Sequence, residues 1–168
     1  GRSIALEFAE FGADVVVSSR KLENLERVAD EVKALGRHSL AIEADITKKT
    51  DVDNLVQSVM EEFGRIDILV NNGGVGTTVP IIEADEDEWD LIIDTNLKGS
   101  YFCCQAVGRR MIEQRKGNII NITSGDGKRA IGRGTPYNVA KAGAIMLTQC
   151  LALDFGEHNI RINSIAPG

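Results

Sequence analysis

A tyrosine and a lysine one helical turn apart are the first residues here whose spacing could do chemistry. Tyr137 and Lys141 stand at positions i and i+4 of a segment in which Thr135 can cap a helix and Pro136 can begin it. Both side chains therefore share one helix face. A neighbouring ammonium favours the phenolate form of a tyrosine, and a tyrosine in that setting can act as a general acid or base near neutral pH.

Two further polar residues stand where they could join this pair. Ser124 follows the predicted strand Asn118–Thr123, and a hydroxyl at that sheet edge can hydrogen-bond a substrate oxygen beside the tyrosine. Asparagine is a poor helix former, so the presence of Asn96 inside a helical segment needs an explanation. Taken one at a time, these residues also fit plain roles: a surface Tyr–Lys pair, a serine completing a turn and an asparagine turned to water.

The elements that must position these residues alternate along the chain. Short runs rich in β-branched residues predict buried strands, and segments of helical period between them predict helices, among them a long one over roughly Asp85–Arg115 and one over Pro136–Phe155. This alternation predicts an α/β fold, a doubly wound parallel sheet with helices on both faces. The predicted strands are Val15–Ser18, His38–Ala44, Ile66–Val70, Gly117–Thr123 and Ile160–Ile165.

Four short motifs, together with Ser124 in register, resemble those of the short-chain dehydrogenase/reductase family, the type with a single Rossmann domain. They are Asn71-Asn72-Gly73-Gly74, with Gly73 where the family usually has alanine, Asn96-Leu97-Lys98-Gly99, Tyr137-x-x-x-Lys141 and Asn163–Gly168, which ends in Pro-Gly. Each motif is weak alone, but together they span the whole chain. Within the family the sequence is most similar to 3-oxoacyl-carrier-protein reductases and to sugar or polyol dehydrogenases such as glucose dehydrogenase.

The resemblance implies hydride transfer between a nicotinamide cofactor and a carbonyl or secondary alcohol. It implies Tyr137 as general acid or base, Ser124 as the group that holds the substrate oxygen, and Lys141 as support for the tyrosine and ligand of the nicotinamide ribose. Asn96 would hold a water that links Lys141 to solvent. The resemblance further implies that the nicotinamide cofactor is contacted by Gly1, Asn72, Gly73, Pro167 and Gly168.

The residues after the first predicted strand bear on which nicotinamide cofactor is used. A carboxylate there would bind the adenosine ribose and repel a 2′-phosphate, but the chain has Ser19 and Arg20 instead. The planar guanidinium of Arg20 suits a phosphate, so we predict NADP(H), with NAD(H) as the lesser alternative. Asp45 matches the family position that accepts from the adenine amino group, with Ile46 beside the ring; a helix cap is the other interpretation of Asp45.

Composition restricts the partners. The 168 residues are 43% hydrophobic and 26% charged with a net charge of −6, which excludes a disordered chain. No basic run exceeds two residues, so we expect no nucleic acid. No apolar run approaches the roughly 20 residues of a membrane span, so we expect no membrane either. Three cysteines without metal-ligand spacing predict no metal site and a reducing cytoplasm.

The expected partners are a small substrate and copies of the same chain. Lys128, Arg129 and Arg133 border the predicted pocket and could attract an anionic or carrier-linked carbonyl or alcohol, although a solvated loop is the simpler interpretation. A homodimer or homotetramer is implied by the resemblance alone.

The motifs also predict that residues 1–168 hold one NAD(P)-binding Rossmann domain in partial form. Gly1 resembles the last glycine of the family's phosphate-binding turn, so the first strand and the C-terminal strand would lie outside this sequence. In the order 3-2-1-4-5-6 the first strand is central, which predicts a gap between Val15–Ser18 and Ile66–Val70. We expect residues 1–168 alone neither to fold cooperatively nor to bind NADPH tightly.

Three other interpretations compete with an NADP(H)-dependent reductase. A non-catalytic, dinucleotide-binding regulatory protein is disfavoured because Asn96, Ser124, Tyr137 and Lys141 are all present. A sugar-nucleotide epimerase, which can also use Tyr-x-x-x-Lys, is disfavoured by Asn71–Gly74 and the single-domain spacing. An NAD-dependent sugar or polyol dehydrogenase of the same family stays open.

Overall fold

The computed structural model describes residues 1–132 and 134–168; Arg133, one of the three loop cations, lies outside the described residues. All five predicted strands are present, with bounds that differ from the predicted ones by at most two residues. Every pairing between them is parallel. The strands are β1 (Val15–Ser19), β2 (Ser39–Glu43), β3 (Ile68–Asn71), β4 (Gly117–Ile122) and β5 (Ile160–Ile165).

Helices connect the strands, which confirms the predicted α/β class. Helices α1 and α2 pack on each other and on β1, whereas α3, α5 and α6 form a second group around β3, β4 and β5. The helices are α1 (Arg2–Glu10), α2 (Leu22–Ala34), α3 (Lys49–Phe63), α4 (Glu86–Ile93), α5 (Gly99–Gln114) and α6 (Thr135–Gly156). A core of buried side chains, centred on Val52, Cys104, Met111, Ile119 and Ile162, joins the second group to the sheet.

The strands form two sheets instead of one. β1 pairs with β2, and β3, β4 and β5 pair in that order, with no ladder between β1 and β3 among the described residues. A groove of about 930 Å³ separates the two sheets and is lined by apolar side chains that include Ile4, Phe8 and Val16. The gap that the sequence predicts between Val15–Ser18 and Ile66–Val70 is therefore present between β1 and β3.

The long helix predicted over Asp85–Arg115 is built from three joined pieces. Asp85 caps its start, because the Asp85 side chain accepts from the Glu88 N–H at 2.8 Å. A short π-helix, Asp94–Lys98, then joins α4 to α5 without a break in the right-handed backbone. The acidic residues after Asp85 occupy the first turn of α4, where the helix dipole stabilises negative charge.

Helix α6 begins one residue earlier than predicted, which makes the assignment of Thr135 as its cap wrong. Thr135 is the first helical residue, and Gly134 precedes it with φ of 75°, in the left-handed region. A glycine adopts that backbone at little cost, so the entry to α6 needs no side-chain cap. By length and composition alone α6 could also cross a membrane, but Lys141 and Thr148 are buried on it and it packs on β5.

Candidate active site

Lys141 lies at the centre of the candidate site. Its side chain is buried, and its ammonium donates to the backbone carbonyl of Ile122, at the end of β4, over 3.0 Å. Burial lowers the pKa of Lys141 below its ordinary value, because desolvation penalises the charged form. The ammonium nitrogen lies 5.6 Å from the centroid of the Tyr137 ring, so the predicted pairing on one helix face is present.

Ser124 is held by a short turn that lies against α6. Its Oγ accepts from the Asp126 N–H at 3.1 Å, which caps the 3₁₀ turn Gly125–Gly127. This use of an acceptor leaves the hydroxyl proton of Ser124 available for donation. On the other side, the Gly125 N–H donates to the carbonyl of Pro167 at 2.8 Å, which brings the Pro-Gly segment beside the serine.

Asn96 sits in the π-helix with a locked side chain. Its Nδ2 donates to the carbonyls of Val75 at 2.8 Å and Ile92 at 3.0 Å, and the residue is 1% exposed. The interpretation of Asn96 as turned to water is therefore wrong. Its Oδ1 is buried and has no hydrogen-bond partner among the described residues. A Cβ on Gly74 would lie 2.7 Å from that oxygen and 3.4 Å from the Lys141 nitrogen, so Gly74 adjoins both groups.

A buried polar network ties the site's strands to α6. Asn71 donates from Nδ2 to Asn121 Oδ1 at 2.8 Å and to Cys104 Sγ at 3.2 Å. Asn121 in turn donates to Thr148 Oγ1 at 2.9 Å. The first asparagine of the Asn71–Gly74 motif thus faces the core, while Asn72 and Gly73 are exposed at the sheet edge.

A second pocket lies at the ends of β1 and β2, and it joins Arg20 to Asp45. Burial acts to raise the pKa of Asp45, but hydrogen bonds from Thr47 and the nearby charges of Lys48 and Arg20 outweigh it, so the net pKa is lowered. Asp45 Oδ1 accepts from the Thr47 N–H at 3.0 Å and from its hydroxyl at 2.8 Å. This is a local turn, and α3 begins only at Lys49, so the helix-cap interpretation of Asp45 is wrong.

Further predicted cofactor residues line the groove between the two sheets: Gly1, Ser19, Ile46, Asn72 and Gly73. Ser19 is exposed, and its Oγ accepts from the Lys21 N–H at 3.3 Å. A Cβ on Gly1 would lie 3.3 Å from Asn72 Nδ2, which places Gly1 beside Asn72. Ile46 packs against two glycines instead of standing free. A Cβ on Gly73 would lie 3.2 Å from the Ile46 side chain, and a Cβ on Gly99 would lie 2.8 Å from it.

Sequence reasoning missed two contributors. Lys48 lines the pocket with Arg20 and Asp45, and its position three residues after Asp45 at the same strand end could have signalled it. The Ile122 carbonyl that binds Lys141 had no sequence signal, because a backbone acceptor carries no residue type. No group of three potential metal ligands occurs within residues 1–132 and 134–168.

The family of the chain follows from comparison with known proteins. The family model described as short chain dehydrogenase matches residues 1–168. The chain belongs to the short-chain dehydrogenase family. It is 42% identical to (2S)-[(R)-hydroxy(phenyl)methyl]succinyl-CoA dehydrogenase subunit BbsD of Thauera aromatica over 168 residues, which is all of this chain and 67% of that protein. It is 41% identical to 3-oxoacyl-[acyl-carrier-protein] reductase FabG of Staphylococcus epidermidis, over all of this chain and 69% of that protein.

Solved short-chain dehydrogenase structures superpose closely on the described fold. A metagenomic short-chain oxidoreductase in complex with NADP matches with a TM-score of 0.96 and 34% identity, over all of this chain and 76% of that one. NAD⁺-bound xylitol dehydrogenase matches with a TM-score of 0.97 and 33% identity, over all of this chain and 65% of that one. The chain thus spans about two thirds to three quarters of these family members.

Proposed function

We propose that this chain forms most of an NADP(H)-dependent oxidoreductase that interconverts a carbonyl and a secondary alcohol. The observation that carries the proposal is the meeting of Tyr137, Lys141, Ser124 and Asn96 at one end of β4. Lys141 is bonded to the last residue of that strand, Ser124 follows it two residues later, and Asn96 adjoins Lys141 through Gly74. Nicotinamide, when bound, supplies or accepts the hydride.

The residues at the edge of the sheet fit such a cofactor. The unpartnered Oδ1 of Asn96 is buried beside the Lys141 ammonium, and a buried acceptor of this kind calls for a donor such as water. Gly73 and Gly74 have no side chain to fill the edge. At the far end, Arg20 and Lys48 bring two cations to a pocket that Glu43, Asp45 and Asp51 also line, and the planar guanidinium of Arg20 suits the phosphate of a phosphorylated adenosine. The roles of Ser19, Ile46, Gly1, Asn72, Pro167 and Gly168 as cofactor contacts belong to this proposal.

Tyr137 transfers the proton in the proposed reaction. In reduction its hydroxyl donates a proton to the substrate oxygen, while the Ser124 hydroxyl donates a hydrogen bond to the same oxygen and holds it in place. The positive charge of Lys141 stabilises the phenolate that remains. The Ile122 carbonyl keeps the lysine side chain directed to this edge, and Asn96 would hold, through its Oδ1, a water that links Lys141 to solvent.

The loss of NADPH absorbance with a panel of ketones tests the proposal in the complete protein. We expect turnover in the wild type and a loss of at least about 100-fold in Tyr137→Phe, because proton transfer by a side chain contributes roughly 10²–10⁴-fold. NADPH binding should persist in Tyr137→Phe. Equal inactivity of the two proteins would favour a non-catalytic dinucleotide-binding protein, and equal activity would exclude Tyr137 as the acid.

The names of two relatives suggest a substrate class. One relative is a 3-oxoacyl-[acyl-carrier-protein] reductase and the other a (2S)-[(R)-hydroxy(phenyl)methyl]succinyl-CoA dehydrogenase subunit, so we propose a thioester-linked 3-oxoacyl or hydroxyacyl substrate. Lys128 and Arg129 are exposed next to the Ser124 turn, where they could bind an anionic carrier. Acetoacetyl-CoA reduction with a KM well below that for a neutral ketone would support this choice.

An NAD-dependent sugar or polyol dehydrogenase is the second candidate. The close superposition on NAD⁺-bound xylitol dehydrogenase favours it, whereas Arg20 and Lys48 oppose it. Oxidation of xylitol or glucose with NAD⁺, at a rate above acetoacetyl-CoA reduction with NADPH, would replace the first candidate by the second.

We further propose a homodimer or homotetramer in a reducing cytoplasm, without membrane or nucleic-acid partners. Exposed apolar side chains on α6, including Met146 and Leu153, support self-association. Three free cysteines, two of them buried, suit a reducing compartment. Size-exclusion chromatography of the complete protein measures the oligomeric state.

A further inference from the structure

The turn that carries Ser124 approaches the backbone of α6 more closely than any side chain would allow. A Cβ on Gly127 would lie 2.7 Å from the carbonyl carbon of Lys141, 2.8 Å from its oxygen and 2.9 Å from the nitrogen of Ala142. All three atoms are helix backbone, in the middle of the 22-residue α6. They cannot rotate away as the end of a flexible side chain could, so the turn itself would have to move.

Gly127 is also tied directly to Ser124. Its N–H donates to the Ser124 carbonyl at 3.1 Å, and Ser124 Oγ accepts from the intervening Asp126 N–H at 3.1 Å. The turn Gly125–Gly127 is therefore a short rigid link from the serine to the backbone of Lys141. The link contacts α6 at Lys141 and Ala142, at the end of the helical turn that carries Tyr137 and Lys141. The contact therefore affects the distance between Ser124 and the Tyr137–Lys141 pair.

We propose that Gly127 is a positioning residue, which sets the distance of the Ser124 hydroxyl from Tyr137 and Lys141 by direct contact of its bare Cα with α6. This inference rests on the proposed oxidoreductase function. Gly127→Ala must move the turn and α6 apart by about 0.3 Å to clear the 3.0 Å that Cβ atoms respect, and by about 0.7 Å to reach ordinary contact at 3.4 Å. Errors near 1 Å in the placement of a reacting group can cost about 100-fold in rate.

The test compares Gly127→Ala with Gly132→Ala in the complete protein. Gly132 lies in the same loop, and a Cβ there would meet no atom of residues 1–132 and 134–168 within 4 Å. We expect Gly127→Ala to lower kcat about 10- to 100-fold, with the Kd for NADPH changed less than about threefold, because the turn acts on the substrate oxygen's position. Gly132→Ala should keep wild-type kcat. Unchanged kcat in Gly127→Ala, or loss of NADPH binding and folding together with kcat, overturns the inference.

A double-mutant cycle with Ser124→Ala adds a measurement that a general structural defect would not mimic. If Gly127 acts through the serine, Gly127→Ala should reduce kcat much less in the Ser124→Ala background than in the wild type. If the losses in kcat from Gly127→Ala and Ser124→Ala multiply in the double variant, the inference is overturned. If Ser124→Ala turnover is too slow to measure, the comparison of kcat with the Kd for NADPH in Gly127→Ala decides. Wild-type and Tyr137→Phe proteins are assayed in parallel, so that failure of the proposed function shows separately as an inert wild type.

Discussion

Arg20 is the residue on which the choice of cofactor depends. It is exposed at the end of β1 and lines one pocket with Asp45 and Lys48. Charge-assisted hydrogen bonds contribute about 1.5–3 kcal/mol each, so Arg20→Asp should weaken NADPH binding about 10- to 100-fold and leave NADH binding nearly unchanged. Fluorescence titration with both cofactors measures this, with Arg109→Asp, an exposed cation on α5, as the matched control. An equal loss for NADPH and NADH would contradict the assignment.

The two buried thiols should make the free energy of unfolding depend on pH in the alkaline range. Burial raises the pKa of Cys103 to about 11 and that of Cys104 to about 12. Both values exceed that of an unfolded thiol, near 8.5, so each thiol's contribution is complete below that pH and is lost as pH rises through its folded value. The free energy of unfolding should fall by up to about 1.4 kcal/mol per pH unit for each thiol.

Urea denaturation of the complete protein under reducing conditions at pH 8, 9 and 10 measures this fall. Cys104→Ala should reduce the slope with pH, because it removes one of the two groups, whereas Cys150→Ala, at an exposed position, should keep the wild-type slope. Identical slopes in Cys104→Ala and the wild type would show that the Cys104 thiol does not titrate as its burial requires.

At the residue scale, sequence could predict side-chain chemistry but not backbone partners. The i and i+4 spacing of Tyr137 and Lys141 placed both on one helix face, and the structure confirms it. The Ile122 carbonyl that binds Lys141, and the backbone against which Gly127 packs, were beyond prediction. Both depend on the distance between elements, which a pattern of residue types along the chain does not contain.

The π-helix between α4 and α5 is the element that Asn96 holds in place. Its side chain donates to one carbonyl on α4 and one in the loop after β3. Asn96→Leu removes both bonds and leaves buried acceptors, so we expect the free energy of unfolding to fall by about 1–3 kcal/mol. Turnover should fall as well, since Lys141 adjoins this side chain.

Chemical denaturation and steady-state assays of the complete protein check this expectation. Gln57→Leu, on the exposed side of α3, is the control, because among the described residues its side chain bonds only to Glu61 and its loss should change little. Wild-type stability in Asn96→Leu would mean that the π-helix forms without its side-chain bonds.

At the element scale, periodicity predicted the positions of the helices. It did not predict the π-helical turn between α4 and α5 or the way in which α6 begins. The pattern over Asp85–Arg115 predicted one helix, and the backbone is helical throughout most of it. The π-turn was not predictable, because one extra residue per turn changes the period too little over five residues. The start of α6 was missed for a related reason, since a left-handed glycine replaced the expected side-chain cap.

At the scale of the whole molecule, α6 presents a stripe of exposed apolar side chains. Val139, Met146 and Leu153 recur every seven residues and so share one face, with exposed fractions of 44%, 58% and 84%. If this face joins two copies of the chain, the double variant Met146→Asp with Leu153→Asp should elute as a smaller species. Size-exclusion chromatography with light scattering measures it. Ile82→Asp, at a position outside α6 that is 90% exposed, should keep the wild-type size; a wild type that is already monomeric would exclude the interface.

The groove between the two sheets has a consequence for how this stretch of chain behaves on its own. Within residues 1–132 and 134–168, β1 and β3 each keep one edge without a strand partner, and both edges are flanked by apolar side chains. Unpaired edges of this kind recruit strands from other molecules and seed aggregates. Residues 1–168 on their own are therefore expected to aggregate unless a holdase chaperone binds these edges.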